Sequence, residues 1–340
     1  MSSRRPEREI RTWALFDSME VGFYDIVKAA ARIRPYLAPS PCYTYPTLNE
    51  FLGFEAYIKH ENYNPTGAFK IRGGLNLVSQ LSPEERGRGV VTASTGNHGQ
   101  SIALASKLFG VEAHICVPVG ANPLKVAAIK MHGAVIHEYG RDFDEAVEHA
   151  VELSETHGYR FISSGDEPLL VAGVGTIGLE VMEQVEGLEA FISPVGSGTG
   201  AGGSSLAVKT LDPGVETIAV QAEGAPSVYR SYKSGRLEST PRAETFADGL
   251  ATRKAFRLPL GLLREYVDDF VLVSDEEMRR AIRLYLEHCH TVAEGAGAAS
   301  LAAAVKLRDR LEGKRVALVL SGGNLEFGEL LKCLGCDGGV

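Results

Sequence analysis

The chain has one tryptophan, five methionines and five cysteines in 340 residues. The cysteines (Cys42, Cys116, Cys289, Cys333 and Cys336) are odd in number and scattered, which argues against a disulfide-framed scaffold. Cys333 and Cys336 have C-x-x-C spacing, but no second pair accompanies them, so a four-ligand zinc site is not expected. No apolar run approaches the roughly 18 residues needed to cross a bilayer. The charged start, Met1 to Glu9, leads into no apolar leader segment. Neither a membrane anchor nor a secretory signal is expected, and a cytoplasmic setting is the default. Basic residues are not in excess: 35 Lys and Arg face 43 Asp and Glu, a net charge of −8, which argues against a general nucleic-acid surface. There is no low-complexity tract and no fixed-period repeat.

What is present is an ordinary globular balance, with 44% hydrophobic and 23% charged residues, and a length that suits one large or two medium domains. Residues 1 to about 25 read as a polar arm with one amphipathic turn around Trp13, Leu15 and Phe16; docking onto a neighbouring subunit is one use for it. A helix is expected from Asp25 to Tyr36 and a strand from Glu55 to His60. After that, strands and helices alternate: strands near 89–93, 111–117, 134–138, 190–195, 215–221 and 315–320, and helices near 97–109, 123–131, 142–156, 168–184, 201–209 and 296–308. Residues 272–287 cover a strand end and a helix. The stretch 235–265, rich in Arg, Thr and Pro, reads as a long surface excursion. This succession predicts an α/β protein with parallel sheets flanked by helices.

In Asn62-Tyr-Asn-Pro-Thr-Gly-Ala-Phe-Lys70-Ile-Arg-Gly-Gly74, Pro65 and Gly67 mark a turn and Lys70 opens a helix expected to run to Leu81. Helix-end potential and burial both lower an ammonium pKa, which gives the neutral amine that Schiff-base chemistry needs. The same residues also suit a solvated lysine on an amphipathic helix. Folds of this kind place ligands where strands end and helices begin. Three such ends are rich in Gly, Ser and Asn. Thr92 to Gln100 offers hydroxyls, an amide and free backbone N–H groups, suited to a carboxylate or equally to a helix-capping turn with Ser94 or Thr95 as cap. Ser193 to Gly203 has the composition of a phosphate cradle. It lacks the lysine of a nucleoside-triphosphate loop; Gly198, Gly200 and Gly203 fit a dinucleotide spacing, but Glu223 comes late for the ribose acid. Leu320-Ser-Gly-Gly-Asn324 sets a hydroxyl at a strand end, or makes an ordinary strand-to-helix turn. A lysine, a phosphate cradle and two polar loop ends together fit a phosphorylated aldehyde with a ring nitrogen, pyridoxal 5'-phosphate.

On the motifs Asn64–Gly73, Ser94–Gly99, Gly196–Gly200, Glu294–Ala298 and Ser321–Asn324, in that order, the chain from about Asp25 to Phe327 resembles the tryptophan synthase β-like, fold type II pyridoxal-phosphate enzymes, in their threonine dehydratase and serine racemase branch. The resemblance implies that Lys70 carries the cofactor and later acts as the Cα base. Phe69 would flank the ring and Asn97 would hydrogen-bond its phenolic oxygen. Gly196, Ser197, Gly198, Thr199 and Gly200 would hold the phosphate, and Ser321, followed by Gly322, would face the pyridine nitrogen. Ser94, Thr95, Gly96, Asn97 and His98 would surround the substrate carboxylate. Gly249 and Glu294 would lie close to the cofactor. A hydroxyl at Ser321 in place of a carboxylate favours prompt loss of a β-substituent. The implied reaction removes water from threonine or serine to give a 2-oxo acid and ammonia; racemisation is the alternative, with the Thr95 hydroxyl as acid or base on the opposite face.

Several positions depart from the family's pattern. The phosphate loop is interrupted by Ser197 and Thr199. Relatives carry a larger residue at the position of Gly165, so a wider pocket is expected here, open to bulkier substrates such as hydroxyaspartate or phenylserine. Glu223 matches one ligand of a divalent-cation site (Mg or Ca), but the partner carboxylate is missing from Gly224–Val228. The chain ends soon after Ser321, so no regulatory domain is expected. The implied organisation is a discontinuous cofactor domain, 1–74 with 166–340, and a small mobile domain, 75–165, carrying the Ser94–Gln100 loop. A homodimer or homotetramer is expected. A nicotinamide oxidoreductase would leave Lys70 and Ser321 unused, and a cofactor-binding protein without turnover fits an intact Lys70 poorly.

Overall fold

A computed structural model describes residues 20–335. Trp13, Leu15 and Phe16, and Cys336 with its C-x-x-C spacing, lie outside the described residues. Ten strands form two sheets: β1 (Cys42–Thr44), β2 (Glu55–His60), β3 (Val90–Ala93), β4 (Ala113–Val117), β5 (Val135–Glu138), β6 (Arg160–Phe161), β7 (Ala190–Pro194), β8 (Glu216–Ala222), β9 (Asp269–Val273) and β10 (Arg315–Leu320). The larger sheet has the order β1-β2-β10-β7-β8-β9 and the smaller β5-β4-β3-β6. All neighbours run parallel except β1, which is antiparallel to β2.

The central strands are apolar on both faces because both faces are covered. In β10, Val316, Leu318 and Leu320 join one core with Ala299 and Ala303, while Ala317 and Val319 join another with Ile177 and Val208. This is the two-sided burial that parallel sheets require. The first core lies under the helices Asp275–Cys289 and Gly295–Lys306, the second under Pro168–Gln184 and Thr199–Leu211.

Most elements fall within two residues of their sequence expectation. The helix after Lys70 is shorter than expected, Ile71–Val78, and the 235–265 stretch is not all excursion: Arg257–Tyr266 is a helix with Leu258, Leu262 and Leu263 buried. Pro259 disguises it, although proline is tolerated in a first helical turn. Strands β1 and β6 are too short to show a period.

The helix 168–184 packs on its neighbours through glycines. A Cβ on Gly173 would lie 2.6 Å from the Arg72 carbonyl oxygen and 2.7 Å from the Gly73 Cα, and one on Gly178 would meet the Ser204 backbone, with Ser204 C at 2.9 Å. Lysine helix, central helix and glycine-loop helix therefore touch backbone to backbone.

Beneath them lies a buried ionic cluster. Arg72 grips Glu61 through Nε (2.7 Å) and Nη2 (2.8 Å), and Glu180 through Nη1 (2.6 Å) and Nη2 (2.8 Å). Lys59 donates to Glu180 (2.6 Å), to the Ser40 carbonyl (2.8 Å) and to Gln184 (2.9 Å), and Asn64 donates to Glu61 (2.7 Å). Burial alone would raise the Glu61 pKa, but the guanidinium, Lys59 and the Ser40 hydroxyl overcome it and bring it down to about 2. Because this folded value lies below the ordinary 4.5, the stability it contributes is present above pH 4.5 and is lost as pH falls toward 2. Glu61→Gln leaves positive charge uncompensated and is expected to cost about 3–5 kcal/mol in urea unfolding. It should also flatten the acid limb of stability in that window; an unchanged acid limb would remove Glu61 from its control.

Candidate active site

The stretch that opens at Asn64 turns through Gly67 and is stitched to the end of β10. Phe69 N donates to the Ser321 carbonyl (3.0 Å) and Gly323 N to the Gly67 carbonyl (2.9 Å), with a bridge between Ala68 and Gly322. Lys70 is thereby set beside Ser321, at the carboxyl end of the larger sheet. Its ammonium donates to Thr199 Oγ1 (3.0 Å) and lies 5.1 Å from the Phe69 ring centroid. Burial brings its pKa down to about 8, and no carboxylate opposes the shift.

The glycine loop leaves β7 and enters the helix Thr199–Leu211. Gly198 takes φ +92°, a left-handed conformation that frees the first N–H groups of that helix toward one point. Ser197 and Thr199 bring their hydroxyls within 3.4 Å of each other. At Gly196 any side chain would strike the Gly249 carbonyl oxygen, and a Cβ on Gly200 would sit 2.9 Å from the Phe69 ring. Gly249 thus backs the loop on one side and approaches Ala296 on the other.

Asn97 begins the helix Asn97–Phe109. Its amide donates to Glu294 Oε1 (2.8 Å), and its carbonyl accepts from Asn324 (2.7 Å), which also donates to the Thr66 carbonyl (2.8 Å). One Asn97 N–H is left for a ligand. Glu294 is pushed up to about 7 by burial, against the Asn97 amide and Lys125. Any side chain at Gly322 would collide with it. The Ser94 hydroxyl oxygen accepts from Gly96 N (3.2 Å) and Gly99 N (2.9 Å), so it caps the helix while its hydrogen stays free. Thr95 and Gly96 are half-buried beside it.

His98 is set differently from a carboxylate ligand. Its Nε2 meets Thr92 Oγ1 (3.1 Å), and that hydroxyl donates to the Ile162 carbonyl (2.8 Å). Burial, reinforced by the Lys70 charge, pushes the imidazole down to about 3, so it is neutral. Gly165 does not widen the pocket as the sequence suggested, because the Phe256 ring covers it. Glu223 faces the Lys306 ammonium (3.6 Å), and no group of three metal-ligating side chains occurs among the described residues.

A buried amine of lowered pKa, an anion cradle within its reach and a hydroxyl at the neighbouring strand end fit a phosphorylated aldehyde cofactor, and on this architecture they define the fold type II class. Residues 33–322 match the family described as pyridoxal-phosphate dependent enzyme. The chain belongs to that family and uses pyridoxal phosphate. It is 44% identical to the L-threonine ammonia-lyase of Thermotoga maritima over 82% of this chain and 69% of that protein. It is 37% identical to the L-threo-3-hydroxyaspartate ammonia-lyase of Saccharomyces cerevisiae over 89% and 93%. The crystal structure of the serine racemase of Dictyostelium discoideum superposes with a TM-score of 0.85 at 36% identity, covering 90% of this chain and 99% of that one.

Sequence reasoning missed Asn324 as the residue that orients Asn97, and Phe256 altogether. The first stood inside a motif without a role; the second lies far along the chain in a segment with no motif.

Gly196→Ala is expected to weaken cofactor binding at least about tenfold, read by absorbance titration of the apoprotein, because a displaced loop loses a charge-assisted hydrogen bond. The raised folded pKa of Glu294 means that its contribution is complete below pH 4.5 and fades as pH rises through about 7. In Glu294→Gln the fall in folding stability as pH rises from about 5 to 7 should disappear; persistence of that fall would assign it to another group.

Proposed function

We propose that the protein is a threonine/serine ammonia-lyase, removing water from a β-hydroxy amino acid. The observation that carries this reading is the placing of Lys70, with its pKa lowered to about 8, beside the neutral hydroxyl residue Ser321. Held by Lys70 and by Gly196–Gly200, pyridoxal phosphate would supply an electron sink for the substrate's Cα–H bond. Lys70 removes the Cα proton, and near its pKa it is a base at physiological pH. Ser321 would meet the ring nitrogen with a neutral hydroxyl and fix no positive charge there, which favours prompt loss of the β-hydroxyl; that hydroxyl and the proton taken from Cα make up the water lost. Hydrolysis of the released enamine gives 2-oxobutanoate from threonine, or pyruvate from serine, with ammonia. The N–H groups and hydroxyls at Ser94–His98 hold the carboxylate, and Gly196–Gly200 hold the phosphate.

Residues 75–165 act as a small mobile domain closing over the substrate. Supporting this, Lys125 is paired with Asp248 and with Glu326 (3.1 Å), and Arg253 with Asp144 and with Asp142 (3.3 Å). These ion pairs join the layer of the smaller sheet to that of the larger across the cleft. The setting is cytoplasmic and the assembly a homodimer or homotetramer; no helix among the described residues is long and apolar enough to cross a membrane. Racemisation is the second reading, favoured by the half-buried Thr95 hydroxyl in the substrate loop.

The test is the visible spectrum of the purified protein, followed by L-threonine with 2-oxobutanoate and ammonia assayed. A yellow protein that bleaches with borohydride and yields both products supports the lyase. A yellow protein that only converts L-serine to D-serine, losing that activity in Thr95→Ala, replaces it with the racemase. Lys70→Ala is expected to lower turnover at least about a thousandfold, the scale of general-base catalysis.

A further inference from the structure

The place of a side chain at residue 165 is taken by one from the other end of the site. A Cβ on Gly165 would lie 2.5 Å from Cδ2 of Phe256 and nearer still to Cγ and Cδ1. The ring therefore lies flat on the Gly165 α-carbon. Gly165 is buried under it, while Phe256 is itself half-exposed. The ring is pinned from behind: Asp166 Oδ1 accepts from Leu258 N (2.9 Å), fixing the start of the helix Arg257–Tyr266 against the loop that holds Gly165.

Both neighbours of this ring belong to the site. The loop 163–167 leaves β6, which is parallel to β3, and Thr92 at the end of β3 donates to the Ile162 carbonyl (2.8 Å). The loop thus stands beside the substrate loop, at the same edge of the smaller sheet. Phe256 lines a cavity of about 50 Å³ between Thr92, Ala93 and Ser163 on one side and Phe143 and Val147 of the helix Phe143–His157 on the other. Three residues on, Pro259 touches the phosphate loop, where a Cβ on Gly198 would lie 3.0 Å from its Cβ. The ring thus stands by the end of β3, from which the loop assigned to the carboxylate departs, and just before the helix whose first turn touches the loop assigned to the phosphate.

We propose that Phe256 is the specificity-determining wall of the substrate pocket, limiting the size of the group carried on the substrate's Cβ. It is a compensating partner of Gly165: the two share one volume and cannot be enlarged independently. This deepens the proposed reading of the site and rests on it for the substrate class. A rigid aromatic wall favours a small group beside the hydroxyl on Cβ, the hydrogen of serine or the methyl of threonine, over a phenyl group. An engineered pocket of this kind gains or loses about 10–200-fold in discrimination per methylene-sized change.

The test uses the holoprotein and four forms: wild type, Gly165→Leu, Phe256→Ala and the double variant. Gly165→Leu is expected to lower the melting temperature by several degrees, as an overpacked core does, and Phe256→Ala in the same chain should restore at least half of the loss. Additive melting shifts would overturn the shared volume. Phe256→Ala is further expected to raise the ratio of kcat/KM for phenylserine over threonine at least about tenfold. A ratio unchanged within about twofold, with melting restored in the double variant, would overturn the wall. Spectral titration with the unreactive amino acids L-alanine and L-phenylalanine reads the same wall without turnover. If no β-hydroxy amino acid is turned over at all, the lyase reading fails, while a selective gain in L-phenylalanine affinity in Phe256→Ala still upholds the wall.

Discussion

Everything at the site depends on how Arg72 is held. Its guanidinium lies between two carboxylates, Glu61 and Glu180, from segments 119 residues apart in sequence, since 180 minus 61 is 119. Lys59 balances the second negative charge, so two cations and two anions close without residual charge. The cluster fixes the chain two residues beyond Lys70 and, through Asn64, six residues before it. Lys70 is left with a hydroxyl, Thr199, as its partner, and burial acts on its ammonium unopposed. A free acid in the same place would have restored the proton that the chemistry must lose.

The rest of the site follows the same economy of charge. Ser321 offers a hydroxyl, Asn97 an amide and His98 a neutral imidazole. At the helix starts that follow the Ser94 and Gly198 loops, backbone N–H groups carry partial positive charges that need no counter-ion. Glu294 is the exception, and burial draws it toward its neutral form as well.

The parts of the site that act through local chain geometry were legible in the sequence. Lys70 was marked by the proline and glycine before it. The cradle was marked by its glycines after an apolar strand, and Ser321 by its place at a strand end. Long-range pairings were not. Glu180 was the available signal for the ionic cluster, an acid between the apolar Leu179 and Val181 in a helical run, but nothing local names Arg72 as its partner. The Gly165 expectation failed for the same reason. A missing side chain reads as empty space until the fold brings Phe256 from 91 positions away, 256 minus 165, to fill it. The helix Arg257–Tyr266 was hidden by a proline in its first turn.

The glycine contacts of the central helix have a consequence for how such a chain can vary. Where Gly173 meets the Arg72 backbone and Gly178 that of Ser204, the separation between lysine and anion loop is set by main chain against main chain. Side-chain identities elsewhere on those helices do not enter that separation. The core can be repacked, the surface recharged and the pocket wall moved from one segment to another while the distance between the two halves of the chemistry is inherited unchanged. Such a seam acts as a gauge block: substrate preference is free to wander along a lineage because the spacing on which catalysis depends is set by two glycines and main chain, away from the pocket wall.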